Sequence, residues 1–301
     1  MRAFIDQHRE TFGVEPICRV LPIAPSGYRR YAAQRRQPAR RSARAQRDDV
    51  LMAHIQRVWD ANRQVYGADK VWRQLQREGL VVARCTVERL MRRLGLRGVR
   101  RGKVVRTTVA KASASCPQDR VNRQFQAVRP NQLWVADFTY VSTWQGFVYV
   151  AFIIDVFARY LVGWRVSRSM HTDFVLDALE QAVYARQPER DDALIHHSDR
   201  GSQYVSIRYS ERLSAAGIEP SVGSTGDSYD NALAETINGL YKAEVIHRRG
   251  SWKTAEAVEL ATLEWVAWFN HQRLLEPLGY IPPAEAEAHY YRQLTEQTLT
   301  V

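Results

Sequence analysis

Three carboxylates, Asp137, Asp199 and Glu235, lie in sequence contexts typical of a site for divalent metal ions. Mg²⁺ prefers oxygen ligands, keeps several waters and typically takes one or two protein carboxylates together with phosphate oxygens of a substrate. Two such ions can assist phosphoryl transfer, one at the attacking oxygen and one at the leaving oxygen. A sparse set of acids converging from different elements therefore predicts this chemistry.

The first two acids are expected on β-strands. Asp137 lies in the apolar, β-favouring run Leu133–Tyr140. Asp199 follows an apolar run that starts at Ala193 and breaks at Gly201, which puts the carboxylate at the carboxyl end of a strand. Taken singly, each acid has a simpler explanation as a solvated carboxylate at a strand end.

The third acid is expected on a helix. Glu235 lies in the run 231–242, for which Asp230 is a good N-cap. Asn231, Asn238 and Lys242 lie at minus four, plus three and plus seven from Glu235, so they share its helix face. An ammonium at Lys242 could hold a phosphate near this face; the alternative for Lys242 is a solvated surface lysine.

Other side chains compete for the metal-ligand assignment. Asp155 also ends an apolar strand, but Arg159 lies four residues on and could pair with it, so a structural role is favoured. His196 and His197 adjoin Asp199, but no second His or Cys pair at ligand spacing accompanies them. We expect packing roles for both histidines and no zinc.

Further sequence blocks accompany the three acids. They are Trp134–Tyr140, Ile154–Arg159 with Gly163 and Trp164, His197–Tyr204, Gly226–Glu235, Phe12–Cys18, Phe269–Arg273, Pro277–Tyr280 and Pro282–Pro283. Over most of the chain they resemble the second-frame (orfB-type) transposases of bacterial insertion sequences, which belong to the retroviral-integrase superfamily. The resemblance implies that Asp137, Asp199 and Glu235 form the acidic triad called DDE and hold two Mg²⁺ ions, for which Mn²⁺ is an acceptable substitute.

The resemblance also implies a fold, a reaction and partners. The expected fold is α/β, with an RNase H-like mixed-sheet core preceded by a small all-α helix-turn-helix domain, and the order of predicted elements after residue 131 agrees. The expected reaction is cleavage of insertion-sequence DNA by water and joining of the freed 3′-hydroxyl to another phosphate. The expected partners are DNA at element ends and target, further copies of the chain on DNA, and an upstream-frame OrfA protein or fusion. The helix face with Asn231, Asn238 and Lys242 would then look toward bound DNA, and Lys242 lies seven positions after Glu235, where members of the resembled family carry a basic residue.

Two other functions stay open. An inactive transposase relic would bind DNA without cutting it, although the intact acids argue against that. A metal-dependent nuclease that cuts without joining would use the same carboxylates.

Charge divides the chain into two halves. Residues 1–130 hold 29 basic and 10 acidic side chains, net +19, whereas residues 131–301 hold 14 basic and 22 acidic ones, net −8. A basic half suits the polyanionic DNA backbone, and binding of that kind is salt-sensitive. DNA binding and chemistry are therefore expected in separate parts of the chain.

The basic half is divided further by composition. We expect a short helical segment over 1–28, an Arg-rich linker over 29–47 and a helix-turn-helix domain over 48–98. The Arg-rich linker either contacts DNA or serves only as a solubilising tether. A basic linker over 99–130 is expected to precede a catalytic core over 131–301.

The helix-turn-helix prediction depends mainly on its third helix. Apolar residues at Val87, Leu90, Met91 and Leu94 are expected to face inward, and the helix should stop at Gly95. Arg89, Arg92 and Arg93 are the candidate DNA contacts on this helix. A generic three-helix bundle has the same pattern.

Composition restricts the cellular setting. Three scattered cysteines, Cys18, Cys85 and Cys116, show neither metal spacing nor a disulfide framework, which fits a reducing cytoplasm. No apolar run approaches the roughly 20 residues of a membrane span, and no signal sequence is visible. We expect a bacterial cytoplasmic protein, associated with the nucleoid when bound to DNA.

Overall fold

The computed structural model describes residues 1–100, 127–188, 193–199, 201, 203–222 and 232–299. The chain divides into two compact units. The first contains residues 1–61 and 71–97, and the second contains residues 62–70 together with the chain from residue 98 onward. The predicted linker over 99–130 falls mostly on 101–126, which lie outside the described residues.

The first unit is helical throughout its described length. Its elements are α1 (Arg2–Phe12), α2 (Val14–Val20), α3 (Pro25–Arg36), a 3₁₀ turn (Pro38–Arg40), α4 (Ala43–Ala61), most of α5 (Ala68–Arg77) and α6 (Arg84–Leu94). Val87, Leu90 and Met91 of α6 are buried as expected, whereas Leu94 is only partly buried. The helix ends at Gly95, whose φ of 73° is left-handed.

The Arg-rich stretch 29–47 is not the unpacked linker that its composition predicted. It continues α3 and enters α4, so only residues 37–42 lie between the two helices. Arginine is a good helix former, and α3 is held because Tyr28 buries its ring against Ile5 of α1 and its neighbours. The acids of the same unit pair with its arginines, as Arg35 does with Asp6 at 2.9 Å.

The second unit is built on a five-stranded mixed sheet of order β3-β2-β1-β4-β5. Its strands are β1 (Leu133–Thr143), β2 (Gly146–Asp155), β3 (Tyr160–Ser167), β4 (Ile195–Ser198) and β5 (Glu219–Val222). The first three pair antiparallel, and β4 and β5 run parallel to β1. The predicted α/β fold with a preceding helical region is confirmed.

Helices cover both faces of this sheet. The helices of the unit are α7 (Thr172–Arg186), α8 (Ile207–Ala215), α9 (Ala232–Tyr241), α10 (His247–Arg249), α11 (Ala255–His271) and α12 (Pro283–Leu299). Trp134 and Ala136 of β1 pack with α7 and α8. On the other face, Phe152 of β2 contacts the rings of Tyr241 and Trp265, from α9 and α11. Side chains alternate along a strand, so Val135 and Asp137, which lie between Trp134, Ala136 and Phe138, face α9 and α11.

A π-helical segment, Lys242–Ile246, follows α9 and precedes α10. Its Glu244 is buried and forms an ion pair with Arg273, which is also buried. The Nε1 of Trp265 donates to Glu244 at 3.0 Å. Trp265 and Trp268 are 0% and 4% exposed and therefore belong to the core.

Candidate active site

The sheet brings Asp137 and Asp199 to neighbouring positions. In the parallel pairing of β1 with β4, Ala136 lies opposite Ser198. The next residue on each strand is Asp137 and Asp199, respectively. Adjacent strands are about 4.8 Å apart and neighbouring residues in register point to the same face, so the two carboxylates are close.

Asp137 lies on the face of the sheet that α9 covers, since it is paired directly with Phe152. Its Oδ2 accepts a hydrogen bond from Asn238 Nδ2 at 2.8 Å, and its Oδ1 accepts one from the N–H of Phe138 at 2.8 Å. Burial, together with the charge of Asp199, raises the pKa of Asp137 to about 7. The bond from Asn238 opposes this shift.

Asp199 lies directly after β4, where the chain leaves the sheet. The N–H of Gly201 donates to its Oδ1 at 3.0 Å. Although the side chain is partly open to solvent, the surrounding protein displaces enough water to raise the pKa of Asp199. The carboxylate is thus held by backbone on one side and accessible on the other.

Glu235 lies in the first turn of α9 and is exposed. Its charge contributes to the raised pKa of Asp137, so it acts on the same site. Among the residues that the structure describes, no three His, Cys, Asp or Glu side chains are close enough to hold a metal ion. Two of the expected ligands are therefore side by side, and the third lies on a neighbouring helix.

The donor set fits a divalent cation. Carboxylate oxygens are the ligands that Mg²⁺ prefers. Placing Asp137 beside Asp199 costs electrostatic energy, as the raised pKa of Asp137 records. A cation between the two carboxylates would remove that repulsion.

The three neighbours of Glu235 on its helix have different positions. Asn238 is buried and donates to Asp137, so its amide is engaged within the protein. Lys242 is partly buried, and its Nζ lies 5.0 Å from the ring centroid of Tyr140 on β1. Asn231, and the predicted cap Asp230, lie outside the described residues.

His196 and His197 are buried on β4 and are bonded to neighbours on α8 and β5, respectively. The Nε2 of His196 lies 3.0 Å from the hydroxyl of Tyr209, and the Nδ1 of His197 lies 2.9 Å from the Oγ of Ser221. Burial lowers the pKa of His196 to about 3, so its imidazole is neutral at physiological pH. These contacts agree with the packing roles expected for both residues.

Asp155 is fully buried at the end of β2. It accepts hydrogen bonds from the N–H groups of Asn131 at 2.7 Å and Phe157 at 3.0 Å. Burial raises the pKa of Asp155 to about 6, and the arginine that lowers it is Arg186 rather than the expected Arg159. The carboxylate therefore ties the ends of two strands together.

The three candidate arginines of the helical unit differ in availability. Arg89 donates two hydrogen bonds to Asp48, at 3.0 and 2.8 Å. Arg92 and Arg93 are exposed, and Arg92 pairs with Glu88 one helical turn away. Sequence reasoning missed the pairing of Arg89 because Asp48 lies 41 residues earlier in the chain.

One buried side chain beside the acids was not expected there. Tyr204 is 3% exposed, and the charges of Asp137 and Asp199 add to the burial that raises the pKa of its phenol. Its position in the block His197–Tyr204 was the only signal in the sequence.

The comparisons with known proteins agree on one family. Residues 127–228 and 216–283 match integrase core domain families, and residues 46–104 match an HTH-like domain family. The chain is 64% identical over 299 residues to the transposase for insertion sequence element IS629 of Shigella sonnei, which covers 99% of each chain. It is also 64% identical over 188 residues to the transposase for insertion sequence element IS3411 of Escherichia coli, covering 62% of this chain and 78% of the relative. The magnesium-bound catalytic core domain of HTLV-2 integrase, in its trimeric form, is similar over 54% of this chain and 99% of its own, with 14% identity and a TM-score of 0.44.

The chain belongs to the insertion-sequence transposases that carry an integrase core domain. It is a DNA-processing enzyme, and its predicted membership of the insertion-sequence transposases is confirmed. Within the described ranges, no helix is both long and apolar enough to cross a membrane.

Proposed function

We propose that this transposase cleaves DNA at the ends of its insertion sequence and joins the freed 3′-hydroxyl to a second DNA phosphate. Asp137, Asp199 and Glu235 are the proposed catalytic residues and metal ligands. The observation that supports this most is the juxtaposition of Asp137 and Asp199, whose proximity is electrostatically costly.

Each proposed ligand has its own support. Asn238 orients Asp137 through its amide, and the N–H of Gly201 orients Asp199. Glu235 completes the set from the first turn of α9. When bound by these carboxylates, two Mg²⁺ ions, or Mn²⁺ in their place, would supply an activated oxygen nucleophile and a stabilised leaving oxygen.

DNA is held by other residues. We propose that Lys242, beside the acids, pairs with a phosphate near the reacting bond. Arg92 and Arg93 of α6 are exposed and are proposed to contact DNA from the helix-turn-helix module. Arg89 joins them only if phosphate replaces Asp48 as its partner, and Asn231 adds a contact at the start of α9.

The assembly and the setting are proposals as well. We propose that the enzyme acts on DNA as a homo-oligomer, together with an upstream-frame OrfA protein or as a fusion with it. Its place of action is then the bacterial cytoplasm, on the nucleoid. Separate binding and catalytic parts fit the strong contrast of net charge between the two halves of the sequence.

A strand-transfer assay tests the reaction. Labelled element-end DNA, target DNA and Mg²⁺ are incubated with wild type, Asp137→Ala, Asp199→Ala or Glu235→Ala, each with and without the upstream frame, after circular dichroism and a binding assay have shown that the variants fold and bind DNA. We expect joined products from wild type and a loss of about 1,000-fold or more in each variant, since metal assistance contributes several kcal/mol.

Other outcomes identify the alternatives. Cleaved but unjoined wild-type products would indicate a nuclease, and binding without any cleavage would indicate an inactive relic. Joining by the variants at the wild-type rate would show that the active site lies elsewhere.

A further inference from the structure

The β1–β2 hairpin carries three large rings on its surface. Tyr140, Trp144 and Phe147 are 49%, 71% and 57% exposed, respectively. Tyr140 and Ser142 point to one face of the hairpin, and Phe147 is the register partner of Ser142. Trp144 lies in the turn that joins the strands. Aromatic rings grouped in this way at a surface are typical of a binding site.

These rings are held in place by the fold. The rings of Tyr140 and Phe147 meet edge to face with centroids 5.5 Å apart. The N–H of Trp144 donates to the carbonyl of Trp252 at 2.9 Å, and Thr143 forms a β-bridge with the same residue. The turn is therefore fixed to the segment that precedes α11, and the rings are ordered before any ligand arrives.

Two lysines accompany the rings. The Nζ of Lys242 lies 5.0 Å from the centroid of Tyr140, and the Nζ of Lys253 lies 5.4 Å from the centroid of Trp144. In the part of the chain that the structure describes, neither ammonium lies within ion-pair distance of a carboxylate. Both cations are thus available to an anionic ligand.

Rings interleaved with cations suit one class of ligand, a nucleic acid strand whose bases are unpaired. Stacking needs the face of a base, which a paired and stacked duplex hides, while the ammonium groups hold the phosphates. A protein surface can offer carboxylates to the lysines, but a nucleic acid strand offers flat faces and anionic charges together along its whole length.

We propose that this aromatic patch, made of Tyr140, Trp144, Phe147, Lys242 and Lys253, binds unpaired nucleotides of the DNA on which the enzyme acts. The proposal rests on the proposed active site, because α9 connects the two: Glu235 lies in its first turn, and Lys242, which directly follows its last residue, lies 5.0 Å from the ring centroid of Tyr140. Tyr140 itself follows Asp137 by three residues on β1 and points to the opposite face of the strand. A strand separated at a DNA end would lie on the patch, with Lys242 holding the phosphate that leads toward Glu235.

The test is binding of a single-stranded oligothymidylate that contains one 2-aminopurine, measured in EDTA so that no cleavage occurs. Stacking on a ring quenches 2-aminopurine, whereas phosphate contact alone does not. We expect quenching by wild type. In Trp144→Leu, which keeps apolar bulk but lacks a π face, quenching should disappear and single-strand affinity should fall about 5- to 150-fold. Trp144→Phe should restore most of both.

The matched control is Tyr184→Leu on α7, because Tyr184 is an equally exposed ring, at 83%, outside the patch. It should bind the single strand as wild type does. A duplex of the same length should lose less than about twofold affinity in Trp144→Leu, since paired bases do not stack on the patch. Failure of the proposed chemistry would leave this result unchanged, because the binding is measured in EDTA and involves no cleavage.

The proposal is overturned if Trp144→Leu quenches and binds the single strand as wild type does. It is also overturned if single strand and duplex lose affinity equally, because the patch would then hold only the phosphate backbone. Loss of binding in Trp144→Phe to the same extent as in Trp144→Leu would likewise exclude stacking.

Discussion

Two acidic regions of the same sheet, one around Asp137 and one around Asp155, both contain a carboxyl group with a raised pKa. Trp134 of β1 is the register partner of Asp155, so Asp137 lies only three residues further along that strand. The pKa of Asp137 is raised to about 7 and that of Asp155 to about 6, each chiefly by burial. Electrostatic strain alone does not distinguish the two.

The hydrogen-bond partners of Asp137 and Asp155 distinguish the two regions. Asp155 accepts from two backbone N–H groups and joins chain segments that would otherwise separate. Asp137 accepts from a side chain of α9, and the second largest cause of its raised pKa is another carboxylate, Asp199. A buried acid satisfied by backbone stabilises the fold, whereas a strained acid beside other acids indicates a site for a cation.

The strongest test of this contrast compares Asp137→Ala with Asp155→Ala. We expect Asp137→Ala to lose about 1,000-fold or more in strand transfer with an unchanged or higher free energy of unfolding, because a repelling charge is removed. At pH 5, where most of Asp155 is uncharged, Asp155→Ala should lose about 2 kcal/mol of stability, since two part-buried N–H groups lose their acceptor. Strand transfer and urea denaturation are measured for both.

The contrast fails if Asp155→Ala, at a temperature where it is folded, loses as much strand transfer as Asp137→Ala. Asp155 would then be a metal ligand. Equal stability losses in the two variants would also remove the distinction.

A pH series sharpens the assignment of Asp155. Its folded-state pKa of about 6 exceeds the ordinary value of 3.8, so its contribution to stability is full below about pH 4 and is lost as the pH rises through about 6. The shift corresponds to about 3 kcal/mol. Asp155→Asn should lack this dependence, so its free energy of unfolding relative to wild type should rise by about that amount from pH 4 to pH 7.

Denaturant titrations at each pH measure that difference. A constant difference between Asp155→Asn and wild type across this range would show that burial does not raise the pKa of Asp155. The opposing titration of His196, whose pKa is lowered, is common to both proteins and cancels.

Asn238 links the Asp137 region to α9. Asn238→Ala removes the hydrogen bond to Asp137, and we expect a 10- to 100-fold weaker apparent affinity for Mg²⁺, the usual cost of losing a group that orients a ligand. Strand transfer titrated with Mg²⁺ gives this affinity. Asn270→Ala is the matched control, because Asn270 is equally buried but bonds the backbone of Leu161. An identical Mg²⁺ dependence in both variants would argue against orientation by Asn238.

The smallest effect is expected at Gly201. A Cβ there would lie 3.0 Å from Oδ1 of Asp199, so Gly201→Ala should displace the carboxylate by a few tenths of an ångström. Strand transfer should fall roughly three- to tenfold, well short of the hundredfold cost of a 1 Å displacement. Gly27→Ala, where a Cβ meets open space, should leave it unchanged. Wild-type activity in Gly201→Ala would show that Asp199 tolerates the shift.

Local sequence patterns predicted much of the sheet unit. The hydrophobic pattern predicts a strand over 160–167 and a helix over 172–186, and the structure has both elements with these bounds. Strand β5 was missed because Pro220 lies within its four residues, and proline argues against a strand. Proline is tolerated here because β5 is an edge strand that pairs only with β4. The other side of β5 has no neighbouring strand, so no N–H donor is needed there from Pro220.

The sequence by itself determined where most strands and helices of the catalytic core lie, because hydrophobic period, turn residues and helix caps act over a few residues. It also predicted that Asp137 lies on a strand, Asp199 at the end of a strand and Glu235 on a helix. Only the tertiary structure decided which side chains meet. The pairing of β1 with β4 places Asp137 beside Asp199. Asn238 of α9 donates a hydrogen bond to Asp137, and Arg89 donates one to Asp48. Each of these contacts joins residues 41 or more positions apart, and local patterns carry no information on partners at that separation.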